Sequence, residues 1–476
     1  MTPLPIANGA YVSESLPLSA QQCVNWYPHV PDAPALNQEV LFGTPGSVQE
    51  ATAGNSILNA NRGTWRMEGK PYFVQGQALF RLNQDRTIDN LGFVEGVGRV
   101  SMADNGTQLV IQVPGGKGYV FTENPDSLTE ITDGDFRANG NPQYVAFHDS
   151  FFIFTTDEKR FIKSDANDGL SYNALDFGAA ESSPDGVVAP IVYKNQLFIC
   201  GERTIEAFQN IGGADFPYQR TGLFLDEGVI APSSLVSAAD SFLFVGAGDN
   251  EGPAIWALSG NNTQKVSTKA IDQVLQRLLI ADLQNIHAWS YAQSGHYFVG
   301  FVLPDTTFVY DTSTGRWHER QSRITNNGVD FITTTCRISS CVSAYGEIFV
   351  GDLLDGRIGK LDPDVYTEYG SLIVRPVATQ PFQNNMQPFS VPYLEMTVES
   401  GLGNDAVNDP VMALEVSRDG GKTWSDSRIR KLGKRGEFKR RAIWRRNGRT
   451  DRFDVYRFTL SDPVKPVLLQ LNGEFL

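Results

Sequence analysis

A short apolar triplet recurs along most of the chain: Tyr72-Phe73-Val74, Leu109-Val110-Ile111, Phe151-Phe152-Ile153, Leu197-Phe198-Ile199, Phe242-Leu243-Phe244, Tyr297-Phe298-Val299 and Ile348-Phe349-Val350. Successive triplets start 37, 42, 46, 45, 55 and 51 residues apart. Turn formers or small polar residues usually precede them, as in Asp104-Asn105-Gly106, His148-Asp149-Ser150, Lys194-Asn195, Ala239-Asp240-Ser241, Ser294-Gly295 and Tyr345-Gly346. A second apolar stretch often follows, for example Ala78-Leu79-Phe80, Tyr119-Val120-Phe121, Ile255-Trp256-Ala257-Leu258 and Phe308-Val309-Tyr310. Apolar run, polar turn and apolar run make a hairpin. A hairpin renewed every 40–50 residues or so has the period of a β-propeller blade. One small sheet cannot bury both faces, so blades stack around an axis and each covers its neighbour. The pattern predicts an all-β chain with a propeller of six or seven blades over residues 51–376.

One stretch breaks this period. Between Thr268 and Ile280, Ile271, Val274, Leu275, Leu278 and Leu279 fall at helical spacing. Thr268 or Ser267 can cap the start. The reading is one amphipathic helix inserted between blades, its apolar stripe packed on one end of the disc. Residues 1–50 are rich in Pro, Asn and Ser and read as an extended arm. The tract from Val377 to Pro388 reads as a linker. Beyond it come longer alternating strands, Tyr393 to Val398, Ala413 to Ser417 and Arg452 to Phe458. They predict a C-terminal β domain over 377–476, a small sandwich carrying a basic segment.

Charge adds a second division. The 476 residues include 40 Lys and Arg against 54 Asp and Glu, a net charge of −14. From Arg428 to Arg457, however, 13 cations face three acids, Glu437, Asp451 and Asp454. This window carries +10 and the rest of the chain −24. An acidic chain is a poor candidate for wrapping nucleic acid. The cations Arg428, Arg430, Lys431, Lys434, Arg435, Lys439, Arg440, Arg441, Arg445, Arg446 and Arg449 form the candidate protein interface. DNA phosphates and a merely solvated hairpin are the competing readings. Self-association with an acidic neighbouring subunit accommodates both halves of the charge balance.

Catalytic chemistry finds no foothold in the sequence. The cysteines Cys23, Cys200, Cys336 and Cys341 lack a zinc-type companion pattern and read as quiet thiols. Five scattered histidines read as structural. There is no G-x-S-x-G elbow and no H-E-x-x-H, and nothing singles out one carboxylate pair among many. No cofactor or metal is expected. No apolar run is long enough for a membrane helix, and the residues from Met1 to Gly9 do not read as a secretory signal. The segment Ser417-Arg418-Asp419-Gly420-Gly421-Lys422-Thr423-Trp424 resembles the Asp-box of sialidases. Ser417, Asp419, Gly420, Gly421, Thr423 and Trp424 are read as a structural hairpin, with the glycines supplying positive φ. Val309 to Trp317 reads as an ordinary blade hairpin, and Pro114 to Gly118 as a β-turn.

Several stretches together resemble, in order and approximate position, the tail-hub proteins of short-tailed phages, also called packaged-DNA stabilisation proteins. They are Asn25-Trp26-Tyr27-Pro28 with Thr44-Pro45-Gly46, Gly98 to Ala103, Glu181 to Gly186, Thr204 to Phe208, and Trp444 to Arg449. The resemblance implies a structural virion protein of the tail, assembled in the host cytoplasm and not an enzyme. Its partners would be itself, as a homohexamer ring, the portal-adaptor protein, a tail needle or plug, a tailspike or fibre, and double-stranded DNA in the channel, with no membrane anchor. Such a hub would retain packaged DNA and conduct it during ejection, past an acidic lumen to which DNA does not stick. The alternatives are a propeller-fold virion glycosidase or depolymerase, and a generic propeller binding platform.

Overall fold

The structure, a computed structural model, describes every residue except 1, 7–8, 35–36, 181–184, 214–215 and 327–328. Seven sheets follow one another along the chain, spanning 61–93, 101–130, 142–179, 187–225, 228–265, 287–319 and 338–362. These are blades one to seven of a propeller. Within each blade, consecutive strands pair antiparallel, except that in blade five the first position is shared by Gly228–Val229 and Val236–Ala238, both on Ser241–Ala247. Every triplet of the sequence pattern lies in the second strand of its blade. That position explains its composition. An inner strand is covered on both faces by neighbouring blades, so alternation gives way to a continuous apolar run. Phe73, Val110, Phe152, Ile199, Phe244, Val299 and Phe349 are all fully buried. Seven apolar clusters fill the seven gaps between blades, including the one that joins blade seven to blade one through Phe349, Ile358, Phe73 and Leu82.

The turns between first and second strands repeat as well. Glu68-Gly69, Asp149-Ser150, Lys194-Asn195, Ser294-Gly295 and Tyr345-Gly346 have positive φ at both positions. Two-residue turns of this kind match the right-handed twist of a hairpin. Asp149-Ser150 and Lys194-Asn195 adopt it without glycine.

Blade seven is completed from the other end of the chain. Its outer strand is Gly46–Thr52, which pairs antiparallel with Arg357–Asp362 from Gly46↔Asp362 to Thr52↔Arg357. The N-terminal segment therefore closes the ring. Between blades five and six lie two helices, α1 (Lys269–Arg277) and α2 (Ile280–Gln284). Thr268 caps α1 by accepting from the Ile271 amide, and Ile271, Leu275 and Leu283 are buried in the cluster beneath. The single helix expected through Ile280 is thus two. The chain turns extended at Leu278 and Leu279, which takes Leu279 out of the apolar stripe and leaves it 73% exposed.

Two further sheets face each other across a core that holds Trp26, Leu394, Leu414, Trp444, Tyr456 and Phe458. One runs Trp26–His29, Val40–Gly43, Val467–Glu474, Tyr393–Val398, Ala442–Arg445, with Thr2–Leu4 also on Val467–Glu474. The other runs Arg375–Ala378, Phe453–Leu460, Val411–Ser417, Arg428–Lys431. This is a β-sandwich. Three strands from the first 50 residues belong to it, and the expected linker begins inside it. Val377 and Ala378 pair with Phe458 and Arg457 and are buried, because Val377 fills the sandwich core.

The two units meet at Asn25-Trp26-Tyr27. Successive strand residues point to opposite faces. Trp26 enters the sandwich core, while Tyr27 packs with Trp289, Phe298 and Val350 between blades six and seven. Asn25 sits at φ 58°, a conformation Asn tolerates better than most residues. Its amide donates to the carbonyls of Gln321 (3.0 Å) and Val374 (2.8 Å), and its Oδ1 accepts from the Gln321 amide (3.1 Å). One side chain ties the end of blade six to the start of the sandwich.

Candidate functional site

The basic segment forms no hairpin. Arg428–Lys431 and Ala442–Arg445 lie in opposite sheets of the sandwich, and the chain between them crosses its edge. The edge is closed by side chains reaching over. The Trp444 indole donates to the Arg428 carbonyl (2.6 Å), Arg428 to the Arg445 carbonyl (2.6 Å) and Asn447 Oδ1 (2.7 Å), and Arg430 to the Ile443 carbonyl (2.7 Å). Other cations have acidic or aromatic neighbours. Lys431 pairs with Asp409 (2.7 Å) and Arg441 with Glu395 (2.5 Å), while Arg445 lies over the Tyr393 ring. The Arg441 guanidinium holds the Glu395 carboxyl below its ordinary range.

A second group faces outward. Lys434, Arg435, Lys439, Arg440, Arg446 and Arg449 are exposed. Among the described residues, only Arg435 of these has an acid in reach, Asp405 at 4.0 Å, and both ends of that pair are solvated, where an ion pair contributes little. Phe438 stands 73% exposed among Lys434, Arg435, Lys439 and Arg440. The interface candidates therefore split in two: Arg428, Arg430, Lys431, Arg441 and Arg445 are engaged within the sandwich, and the other six are free to meet a partner.

At Ser417 to Trp424 the turn is built around one carboxylate. Asp419 accepts from the Lys422 amide (2.9 Å), the Thr423 amide (2.9 Å) and the Thr423 hydroxyl (2.6 Å), and Ser417 donates to it (2.7 Å). These donors pull its pKa far down. Gly420 and Gly421 have φ of 80° and 99°. Trp424 lies under the Arg457 guanidinium, 4.1 Å from it. The carboxylate is consumed by the turn.

The fold also gathers residues that are scattered in the sequence. His29 Nδ1 is 2.8 Å from His296 Nε2, and His296 Nδ1 is 2.6 Å from the buried Asp311. His318 stands beside them, edge-on to Phe298. His29 belongs to the sandwich and His296 to blade six, so this row lies across the joint, and no local signal connects residues 267 apart. Asp185 likewise accepts from the amides of Arg203 (2.9 Å) and Thr204 (3.0 Å), joining two stretches singled out in the sequence; residues 181–184 of the first lie outside the described residues. Cys23, Cys200 and Cys336 are buried and free, with their thiols pushed up by burial. Among the described residues no cluster of three or more His, Cys, Asp or Glu side chains has the arrangement to hold a metal. Among them, too, no helix is long and apolar enough to cross a membrane.

A seven-bladed propeller locked to a sandwich with a cationic edge defines a two-unit, all-β class of protein. Residues 2–366 match the family described as Bacteriophage P22 Gp10, beta-propeller, and residues 375–474 its beta-sandwich counterpart. The chain belongs to this family of short-tailed phage tail hub proteins, a family of structural tail components. The tail hub protein gp10 of Salmonella phage P22 is 22% identical over 285 residues, 57% of this chain and 57% of that protein. Among solved structures, the WD40 propeller domain of Doa1 aligns at 14% identity with a TM-score of 0.39, covering 67% of this chain and 97% of that one. BamB from Moraxella catarrhalis aligns at 12% with a TM-score of 0.34, covering 72% and 97%.

Proposed function

We propose that this chain is the repeating subunit of a tail-hub ring, and that copies join head to tail, the basic sandwich edge of one against the acidic blades of the next. The carrying observation is the separation of charge. Lys434, Arg435, Lys439 and Arg440 flank an exposed Phe438 along the chain. Blades three to five, residues 142–265, hold 16 acidic against seven basic residues, a net −9. The sandwich is attached at blades six and seven, which lie across the propeller axis from blades three and four. A subunit with opposite charges at opposite ends associates through a heterologous contact, which closes into a ring when the rotation per subunit permits.

The ring gives the finer roles their setting: an adaptor above, a needle and spikes below, and DNA retained and then conducted along a mostly acidic wall. Like charge on wall and DNA keeps the passage free of adhesion. Ring formation is tested by sedimentation velocity of the full chain across a sodium chloride series. Assembly is expected at low salt and should be lost as screening shortens the reach of the charges. The variant with Lys434, Arg435, Lys439 and Arg440 all changed to Glu should stay monomeric at every salt concentration, with an unchanged melting temperature. A wild-type chain that is monomeric at low salt and high concentration, or a variant that assembles normally, overturns this reading.

A further inference from the structure

The propeller axis holds a cavity of about 560 Å³, walled by the first strands of all seven blades. We infer that this cavity is a binding site for a small organic anion, its carboxylate or similar head held by Arg99 and its apolar body against the blade walls. The site is independent of the ring contact and uses none of the basic sandwich residues.

Arg99 carries the case. It lines the cavity and is part-exposed there. Its guanidinium donates to Ser339 Oγ (3.0 Å) and to the Ser339 carbonyl (3.3 Å). A guanidinium has five N–H donors, and among the described residues no carboxylate lies within ion-pair distance of this one. Arginines buried near the propeller core are treated differently, and one of them, Arg320, lies over the Trp289 and Tyr291 rings. Arg62 gives its donors to four backbone carbonyls, those of Gly98, Gly76, Val94 and Glu95. Arg337 is paired with Asp352 and Asp355. Arg99 alone among the four combines a missing counter-charge with a volume of this size beside it. Burial pulls its pKa down to about 10, as expected for a cation with nothing to balance it.

The remaining lining fits a ligand with one charged end. Among the described residues, Asp104 is the only acid there. It is already occupied by the Trp65 indole (2.7 Å) and the Gly106 amide (2.9 Å). Five residues from Arg99, it lies up to about 16 Å away along an extended chain. Two titratable groups near Arg99 stay uncharged: burial, with the Arg99 charge, holds His287 well below its ordinary pKa, and burial pushes the Tyr144 hydroxyl up. The rest of the wall mixes apolar and aromatic groups, Trp65, Phe147, Ile191 and Val236 among them, with the hydroxyls of Thr64, Ser101, Ser233, Ser237, Ser290 and Ser340. The volume falls within the roughly 300–1,000 Å³ of small-molecule sites. A cation partly withdrawn from water and lacking a counter-charge is screened less than a fully solvated one, so an entering anion gains more here than on a solvated arginine.

Isothermal titration calorimetry on the full chain tests this with 3-phenylpropionate, benzoate and the matching neutral amides at constant ionic strength. At least one carboxylate should bind saturably with one site per chain, at least tenfold tighter than its amide. Arg99→Met should abolish the carboxylate preference while keeping or raising the melting temperature. Absence of saturable binding by either carboxylate, equal binding of acid and amide, or an unchanged preference in a folded Arg99→Met chain would overturn the proposal. The acid-to-amide comparison uses the native chain, so it decides the matter even where the variant fails to fold.

Discussion

The propeller and the sandwich are both all-β, yet they are assembled in opposite ways. Each blade is made from consecutive strands, and every blade interface joins sequence neighbours except the one that closes blade seven on blade one. Only Gly46–Thr52 comes from afar. The sandwich is composite: its first sheet draws strands from 2–4, 26–29 and 40–43 together with strands from the last hundred residues. A repeat built from local hairpins announces itself as a period, whereas a sheet built from both ends of a chain has no period to show. The same contrast holds for charge, with acids on the blades and cations on the sandwich edge.

The joint residues break this comparison most severely. Trp26→Ala and Tyr27→Ala should each cost about 3–5 kcal/mol, the usual range for removing a large buried aromatic. Thermal denaturation with limited proteolysis separates them. Trp26→Ala should expose first the sandwich strands around Leu414 and Trp444, Tyr27→Ala the blades around Trp289 and Val350. Identical cleavage patterns would mean that the units share one core.

Asn25→Ala should cost about 2 kcal/mol, by denaturant unfolding, through a left-handed backbone position and three hydrogen bonds left partly unmet. Its effect should fall on both units together, because its partners lie in each.

Protonation sharpens the contrast at the same place. Burial and the nearby Arg320 charge hold His318 well below its ordinary pKa, and neither ring nitrogen has a hydrogen-bond partner. The unfolded chain takes up a proton near pH 6.5 and the folded chain does not. This histidine therefore costs nothing above that pH and destabilises the fold as pH falls below it. Glu319 and Glu368, pushed up to about 7 by burial, act in the opposite direction between their unfolded value and 7. Comparison with His318→Phe isolates the histidine. Between pH 7.5 and 5.5 the native chain should lose about 1.4 kcal/mol more than the variant. The smallest effect belongs to Leu279→Ser, which should stay within about 0.5 kcal/mol because the side chain is solvated.

What can be read from the sequence follows from these two modes of assembly. The seven second strands are legible because burial on both faces forces an apolar run, and the turns because tight hairpins demand particular residues. Gly46–Thr52 is not, since a polar outer strand carries no signature and its partner lies at the far end of the propeller. The cations from Arg428 to Arg449 are visible as charge. Which of them close the sandwich edge and which stand free depends on carbonyls and carboxylates that only the fold brings near. Asn25, Trp26 and Tyr27 stand out as a stretch, but their division of labour rests on a strand with a different core on each face. The row His29, His296 and Asp311 leaves no trace, being assembled from three separate elements.

Zero-length amine-to-carboxylate cross-linking of a mixture of isotopically light and heavy chains at low salt tests the charge-separated ring most directly. Cross-links between chains should join Lys434 or Lys439 to carboxylates within residues 142–265. Inter-chain cross-links confined to sandwich against sandwich, or their absence from an assembled ring, would contradict the head-to-tail contact.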